Sequence, residues 1–358
     1  MVNHVWGVAK ELKKRPLFFY GAGLICRRII DACTLLGIRP SYISDRNPDL
    51  WGKSIDGIVV ISPLEMRSHG ADIPIVITTL YVLSAANSLT EQGFTNIWSF
   101  HDSKAPFYDQ SQYNKNENKH IFNANKSVID SVKEGLADRR SVETVNALIS
   151  YRQTNNPGDV EAIYNDSEYF PSDIINLTHS EVFVDGGSYI GDIMHTFIKL
   201  TECKFNHIYA FEPLEQYYQI INDGLMYHIA RDKVTVINKA LSSKKGKAQV
   251  MEQSVGSRLD ENGTLEVETE SIDNLFKETK DGPTMIKLDI EGAEMAALKG
   301  AERTIDSFKP KLAICIYHKF NDLWEIPDYL MKKYPFYNYF IRHHSMADAS
   351  TVLYAVAR

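Results

Sequence analysis

The sequence predicts two consecutive α/β units, a smaller Rossmann-like one and then a larger one whose mostly parallel, seven-stranded sheet ends in an antiparallel edge hairpin. Three observations predict it. Short runs of β-forming residues alternate with helical periodicity in both halves of the chain. A glycine turn follows an apolar run in each half, at Gly21-Ala-Gly23 and at Gly186-Gly187. Two further apolar runs, 337–342 and 351–355, read as a terminal hairpin. With 358 residues, 44% of them hydrophobic, the chain is long enough to bury two cores.

In order, apolar residues at helical spacing predict a short helix over 2–14, leading into Pro16. Residues 17–20 are a buried strand, followed by the Gly21 turn and a helix over 24–36. A strand at 41–44 ends at Asp45, and Pro63, Pro74 and Gly93 punctuate βα units at 58–61, 75–78 and 96–99. The first unit therefore spans 1–105. Its Gly-x-Gly is incomplete, because Cys26 holds the place of a third glycine. Residues 106–180 form a linker and helical segment. The polar stretch 104–119 reads as linker, 127–151 as a helix or helical pair, and Asn155-Asn-Pro-Gly158 as a break.

The second unit spans 181–358. Val182 to Asp192 reads as strand, tight turn and helix, and 207–213 as a second strand ending in Glu212. A third strand runs over 234–241, with a β-excursion at 248–251. Residues 266–270 lead into a helix over 272–279 that Ser271 caps. The fourth strand, 285–289, is followed by a helix over 293–305, and the fifth strand, 311–317, by a helix over 322–333.

The strand ends carry the chemistry. Residues without a Cβ let a ligand approach the turn, and the following helix offers unpaired N–H groups. Glu212, about 20 residues downstream, stands where a carboxylate accepts both hydroxyls of a ribose. Asp185 and Glu212 thus line neighbouring carboxyl ends of parallel strands, and an ordinary βα connection with incidental glycines is the alternative. Asp289 and Glu291 lie at the end of the fourth strand and His318 just past the fifth, so all three face the same cleft.

These stretches, with Lys287-Leu-Asp-Ile-Glu-Gly-Ala-Glu294 and the tail Tyr-Phe-Ile-Arg-His-His, resemble the FkbM family of S-adenosylmethionine-dependent methyltransferases from near Tyr169 to Arg358. The resemblance implies a class I methyltransferase fold with S-adenosyl-L-methionine as cofactor. Asp185 and the Gly186 and Gly187 backbone would lie near its methionine part, Glu212 on the ribose, and Asn238 and Ala240 beside the adenine, with Ser188, Gly191 and Pro213 completing the lining. A general methyltransferase pattern has another glycine where Tyr189 stands; this family tends to carry a larger residue there. The expected reaction is O-methyl transfer to a hydroxyl of a sugar or glycan-linked intermediate. Alternatives are a polyketide, another secondary metabolite or a nitrogen acceptor, or an idle protein that keeps the cofactor fold.

Removing a proton from the acceptor needs a base, and an imidazole suits neutral pH. His318 is therefore expected as base or acceptor orienter, with Asp289 and Glu291 as the other catalytic candidates and Asp289 as a cofactor or acceptor contact. A capping histidine beside Tyr317 and Lys319 is the alternative for His318. No metal is assigned to these acids. Tyr169-Phe-Pro is expected to close over the acceptor side or to pack on the first strand. One of His343 and His344 contacts the acceptor, or both belong to a solvated edge cluster, and Ser257-Arg258 reaches the cofactor or an anionic acceptor. The first unit resembles Rossmann-like domains attached to sugar-modifying enzymes. It binds a nucleotide or nucleotide-sugar at Gly21, Gly23 and Asp45, holds the acceptor's carrier, or serves as the scaffold of a homodimer.

The 39 basic and 46 acidic residues give a net charge of −7 with no long basic run, which argues against nucleic acid. Cys26, Cys33, Cys203 and Cys315 are scattered, as in a cytoplasmic protein with reduced thiols. No stretch has the continuous apolar length of a signal peptide core or a membrane span.

Overall fold

The computed structural model of the chain describes residues 3–4, 16–23, 26–27, 29–30, 39–79, 82–99, 115–154, 159–160, 162–226, 228–252, 257–259, 263–345 and 349–358. The chain divides into two compact units, Met1–Tyr108 and Asp109–Arg358.

The first unit contains strands β1 (Asn3–His4), β2 (Phe18–Tyr20), β3 (Tyr42–Ser44), β4 (Ser54–Ile55), β5 (Ile58–Ile61), β6 (Ile75–Ile77) and β7 (Ile97–Ser99). They form one sheet in the order β1-β7-β6-β2-β3-β5-β4, parallel except for β4 against β5. The helix expected over 2–14 is corrected at its start. Asn3 and His4 pair with Trp98 and Ser99 and so satisfy the backbone groups along β7; residues 5–15 lie outside the described residues. Of the helix expected over 24–36, residues 26–27 and 29–30 are described and helical. Helix α1 (Pro63–Ser68) starts where a sequence rule puts it, with Pro63 in its first turn and the Ser62 hydroxyl accepting the Glu65 N–H at 3.0 Å. Helix α2 (Val82–Glu91) follows β6.

The second unit opens with helices α3 (Lys115–Ala124), α4 (Lys126–Gly135) and α5 (Arg139–Thr154). The linker expected over 104–119 is thus helical from 115 onward, because Phe122 joins the core beside Trp324. Residues 104–114 and the break at 155–158 lie outside the described residues.

The main sheet contains β8 (Val182–Gly186), β9 (His207–Phe211), β10 (Val234–Ile237), β15 (Met285–Leu288), β16 (Lys311–Cys315), β17 (Tyr337–His343) and β18 (Thr351–Ala357). Its order is β10-β9-β8-β15-β16-β18-β17, and only the pairs made by β18 are antiparallel. This is the seven-stranded class I arrangement with its edge hairpin. Alternate residues of each strand feed two cores, as a pleated strand requires. Val182, Val184, Ile286, Leu288, Leu312 and Ile314 face one way; Phe183, Met285, Ala313 and Cys315 face the other. Helices α6 (Asp192–Leu200) and α7 (Glu215–Leu225) follow β8 and β9.

A second sheet joins β11 (Ala240–Leu241), β12 (Gly246–Glu252), β13 (Ser257–Leu259) and β14 (Leu265–Glu270) in the order β11-β14-β12-β13. The single strand expected over 234–241 is therefore two. Asn238 breaks it by turning its side-chain amide back onto the carbonyls of Glu212, at 3.1 Å, and Pro213, at 3.3 Å. Helix α8 (Ile272–Leu275) is capped by Ser271, whose hydroxyl accepts the Asn274 N–H at 3.2 Å. The helix expected over 293–305 divides into α9 (Glu294–Lys299) and α10 (Glu302–Phe308), and α11 (Asp322–Lys333) has its expected bounds.

Strand β17 would be a bare edge, but preceding segments cover it. Ala137 N–H donates to Tyr339 O and Asn165 N–H to His343 O, both at 2.8 Å, and Ile341 N–H donates to the Ser141 hydroxyl at 2.9 Å.

Candidate active site

Parallel register places Asp185 on β8 directly beside Lys287 on β15. Their side chains are 0% and 1% exposed, with Lys287 Nζ 3.0 Å from Asp185 Oδ1. A buried pair of this kind holds only if further hydrogen bonds compensate its lost hydration. On the lysine side Lys287 donates to the carbonyls of Gly186 at 3.0 Å and Gly187 at 2.8 Å and lies 5.3 Å from the centroid of the Tyr169 ring, whereas neither Asp185 oxygen has a hydrogen-bond partner among the described residues. Burial opposes its charge, yet Asp185 and Asp289 hold its pKa above the ordinary lysine value. The glycine turn is thus built around a buried lysine ammonium.

The glycines serve the protein first. A Cβ on Gly186 would come within 2.8 Å of Leu241 and Leu288, and one on Gly187, at φ +75°, within 1.8 Å of the Asp289 carbonyl oxygen. They clear space for neighbouring strand ends, a need that stands beside the one expected from a ligand. The N–H groups of Gly187 and Ser188 both donate to Phe211 O, at 3.1 and 2.9 Å, and the Ser188 hydroxyl donates to Asp185 O at 3.0 Å. These groups shape the turn, and Gly191 precedes the first residue of α6.

Glu212 is buried at the end of β9. Its Oε2 accepts the Tyr189 N–H and its Oε1 the Leu214 N–H, both at 2.9 Å, which leaves each oxygen acceptor capacity. Burial, only partly offset by these two donors, pushes its pKa up to about 7. Pro213 stands two residues ahead of α7. Asn238 is brought to Glu212, and Ala240 is buried opposite Thr269 in the second sheet.

Beyond β15 the acids gather round His318. Asp289 accepts the Tyr169 hydroxyl on Oδ2 at 2.8 Å and the Tyr317 hydroxyl on Oδ1 at 3.2 Å. His318 Nε2 lies 3.3 Å from Asp289 Oδ1 and 3.6 Å from Glu291 Oε2, and its Nδ1 lies 2.9 Å from Glu294 Oε1. Burial opposes a charged ring, but Glu294 and Asp289 outweigh it and hold the His318 pKa well above the ordinary imidazole value. Likewise burial would raise Asp289, yet His318, Lys287 and Tyr169 keep it well below the usual carboxylate range. Of the two roles expected for His318, the geometry is compatible with orienting the acceptor, and a ring held charged has no lone pair with which to act as the base. The side chains of Asp289 and Glu291 are 26% and 33% exposed and that of His318 only 7%, so the carboxylates present the reachable surface. Tyr169, Tyr189 and Glu291 all carry positive φ, at +62°, +50° and +55°, strain of the kind that gathers at functional sites.

The aromatic pair divides its roles. Phe170 packs on Phe183 of β8, with ring centroids 5.9 Å apart, while Tyr169 reaches Asp289. The solvated edge cluster expected at residues 342–344 is corrected: Arg342, His343 and His344 are all buried. Arg342 Nη2 pairs with Asp138 at 2.6 Å and Asp173 at 3.1 Å, His343 Nδ1 with the Thr351 hydroxyl at 2.8 Å, and His344 Nε2 with the Tyr354 hydroxyl at 2.9 Å. Burial of β17 beneath the preceding helices draws them inward. The side chains of Ser257 and Arg258 lie outside the described residues. Sequence reasoning assigned no role to Lys287, Glu294 or Tyr317, although the first two are the ends of the 287–294 motif.

In the first unit Asp45 is tied into its own turn. Oδ2 accepts the Ala22 N–H at 2.7 Å and Oδ1 the Asn47 N–H at 2.8 Å, while the Thr78 hydroxyl donates to Gly21 O at 2.6 Å. Cys26 N–H donates to Gly23 O at 3.0 Å. Among the described residues no group of three or more His, Cys, Asp or Glu is arranged to hold a metal ion, and no helix is long and apolar enough to cross a membrane.

Residues 185–343 match the family model of the methyltransferase FkbM domain. The crystal structure of methyltransferase FkbM from Methylobacillus flagellatus KT is similar at a TM-score of 0.60 and 23% identity, over 97% of this chain and 92% of that one, which supports the fold. An rRNA methylase from Streptococcus thermophilus matches at 0.34 and 14% identity, over 51% of this chain and 89% of that one. Precorrin-6y C5,15-methyltransferase from Geobacter metallireducens GS-15 matches at 0.34 and 13%, over 56% and 95%. No curated protein matches the chain. The sheet order, the acidic strand ends and the family match converge on one statement: residues 185–343 are a methyltransferase FkbM domain, and the protein is a methyltransferase.

Proposed function

We propose that the protein uses S-adenosylmethionine to methylate a hydroxyl of a sugar or glycan-linked intermediate. The observation that carries the cofactor part is Glu212, a buried carboxylate whose two oxygens, among the described residues, accept one backbone N–H each. Two ribose hydroxyls would complete it, and the acids at the neighbouring strand ends suit a cationic ligand. When bound, S-adenosylmethionine supplies an electrophilic methyl group. Glu212 binds the ribose, Asn238 fixes the 212–213 corner beside it, and the Asp185–Lys287 pair holds the turn that runs from Gly186 through Ser188 to Gly191. Asp289, held as an anion by two phenols and His318, orients the acceptor. Glu291, the most exposed carboxylate of the cluster, takes the acceptor's proton.

The sugar acceptor rests on the family resemblance and on the likeness of the first unit to domains of sugar-modifying enzymes. Calorimetric titration with S-adenosylhomocysteine tests the cofactor site. Binding by wild type that is lost in Glu212→Ala supports it, and equal binding by both refutes it. Transfer of a labelled methyl group to a panel of nucleotide-sugars and glycans tests the acceptor. Labelling of a polyketide or amine and of no sugar would move the reading to those classes, and binding without release of S-adenosylhomocysteine with any acceptor would leave an idle protein. Glu291→Gln should lower kcat by roughly 10²–10⁴-fold while cofactor affinity stays within about twofold.

A further inference from the structure

We propose that Glu294 is a positioning residue that locks His318 in its charged form, so that the ring, by ion pairing, holds Asp289 and Glu291 in place. Glu294 is fully buried at the start of α9, and its Oε1 accepts the Ile290 N–H at 2.9 Å, which fixes the carboxylate before His318 meets it. His318 Nδ1 faces that oxygen at 2.9 Å. Its Nε2 faces Asp289 at 3.3 Å and Glu291 at 3.6 Å. Neither ring nitrogen has a hydrogen bond of good geometry among the described residues, but each has a carboxylate oxygen within ion-pair distance, and that surround of negative charge favours the ring with a proton on each nitrogen.

The other groups around the ring point the same way. Tyr317 lies against it, with centroids 4.1 Å apart, and its hydroxyl already donates to Asp289. From α11, Asp322 is raised to about 6, by burial and then by Glu294, and accepts the Lys319 N–H at 2.9 Å. Lys319 turns its ammonium onto Gly292 O, and Lys287 is committed to Asp185 and the glycine carbonyls. Three carboxylates thus converge on one imidazole, and both nearby lysines are bound elsewhere. The consequence is a polarity opposite to that of a histidine base: the site works while the ring is charged and fails as the pH rises through its pKa. That consequence rests on the acceptor-side reading above, whereas the protonation of the ring does not.

The test is imidazole ¹⁵N NMR on the intact protein, with His318 assigned through His318→Asn. Wild-type His318 should keep both nitrogens protonated through pH 8, and Glu294→Gln, which retains an acceptor for Ile290 but no charge, should lower its midpoint by about one unit or more. Methyl transfer by Glu294→Gln should then lose its alkaline limb about tenfold earlier in proton concentration, with Glu294→Asp restoring part of it. A wild-type ring that titrates near the ordinary imidazole value overturns the proposal even if Glu294→Gln does not fold. So does a uniform loss of activity in Glu294→Gln with an unmoved titration. A shifted titration in a protein that methylates nothing would instead refute the catalytic reading and leave the lock standing.

Discussion

Glu212 combines burial with an incomplete set of donors, and its raised pKa makes ligand binding pH-dependent. With a folded pKa of about 7 against an ordinary 4.5, the carboxyl favours its neutral form in the free protein, and stability is lost as the pH rises through 7. A ligand that donates two hydroxyls favours the carboxylate, so binding should release a proton. S-adenosylhomocysteine affinity is expected to rise about tenfold between pH 6 and 8 and to be flat in Glu212→Gln, as calorimetry in two buffers of different ionisation enthalpy would read. Gly187 makes a second prediction. Gly187→Ala places a methyl group on the Asp289 carbonyl in a left-handed conformation, and should cost roughly 3 kcal/mol or more in thermal or denaturant unfolding. Acids at strand ends were legible one by one, because a strand followed by a turn can be read locally. That Lys287 meets Asp185, or Glu294 meets His318, depends on register and on a helix start 24 positions earlier in the chain, which no local pattern contains.

Between single residues and the fold stands β17 with its cover. The hairpin was legible from its two apolar runs, but burial of the charged and imidazole groups along it was not. Arg342-His-His reads as polar edge until helix α5 and the chain near Asn165 are known to lie over the strand. Arg342 is 2% exposed, while its partners Asp138 and Asp173 are 32% and 50% exposed. Arg342→Met should therefore cost about 2 kcal/mol, less than the loss of one partner from a fully buried pair, since water can reach the stranded carboxylates. Hydrogen exchange should accelerate at the Ala137, Asn165 and Ile341 amides and leave those of β8 and β15 unchanged; equal acceleration throughout the sheet would contradict a local role. The polar stretch before α3 misled for a related reason: Phe122 makes the helix part of the core through partners about 200 residues away.

Each unit has its own apolar core, built from residues 17–98 in the first and 122–355 in the second. Residues 109–358 expressed alone should fold cooperatively and bind S-adenosylhomocysteine as the full chain does, which melting curves and calorimetry would check. A fragment trimmed to 185–343 should not, since it lacks Tyr169, the helices over β17 and the whole of β18. The alternation of strands and helices was enough to foresee both sheets in outline, whereas the split of the third strand turned on one Asn side chain.

The position of β18 has a consequence for synthesis. Residues 351–357 insert between β16 and β17, two strands made earlier, so a growing chain holds those two apart, unpaired with each other, until the insert has left the ribosome. Up to then β16 exposes one row of backbone donors and acceptors and β17 another, and both are templates for wrong partners. A nascent chain halted after β17 has emerged but before residues 351–357 have would therefore carry the first unit already foldable and the methyltransferase sheet still open to wrong pairing.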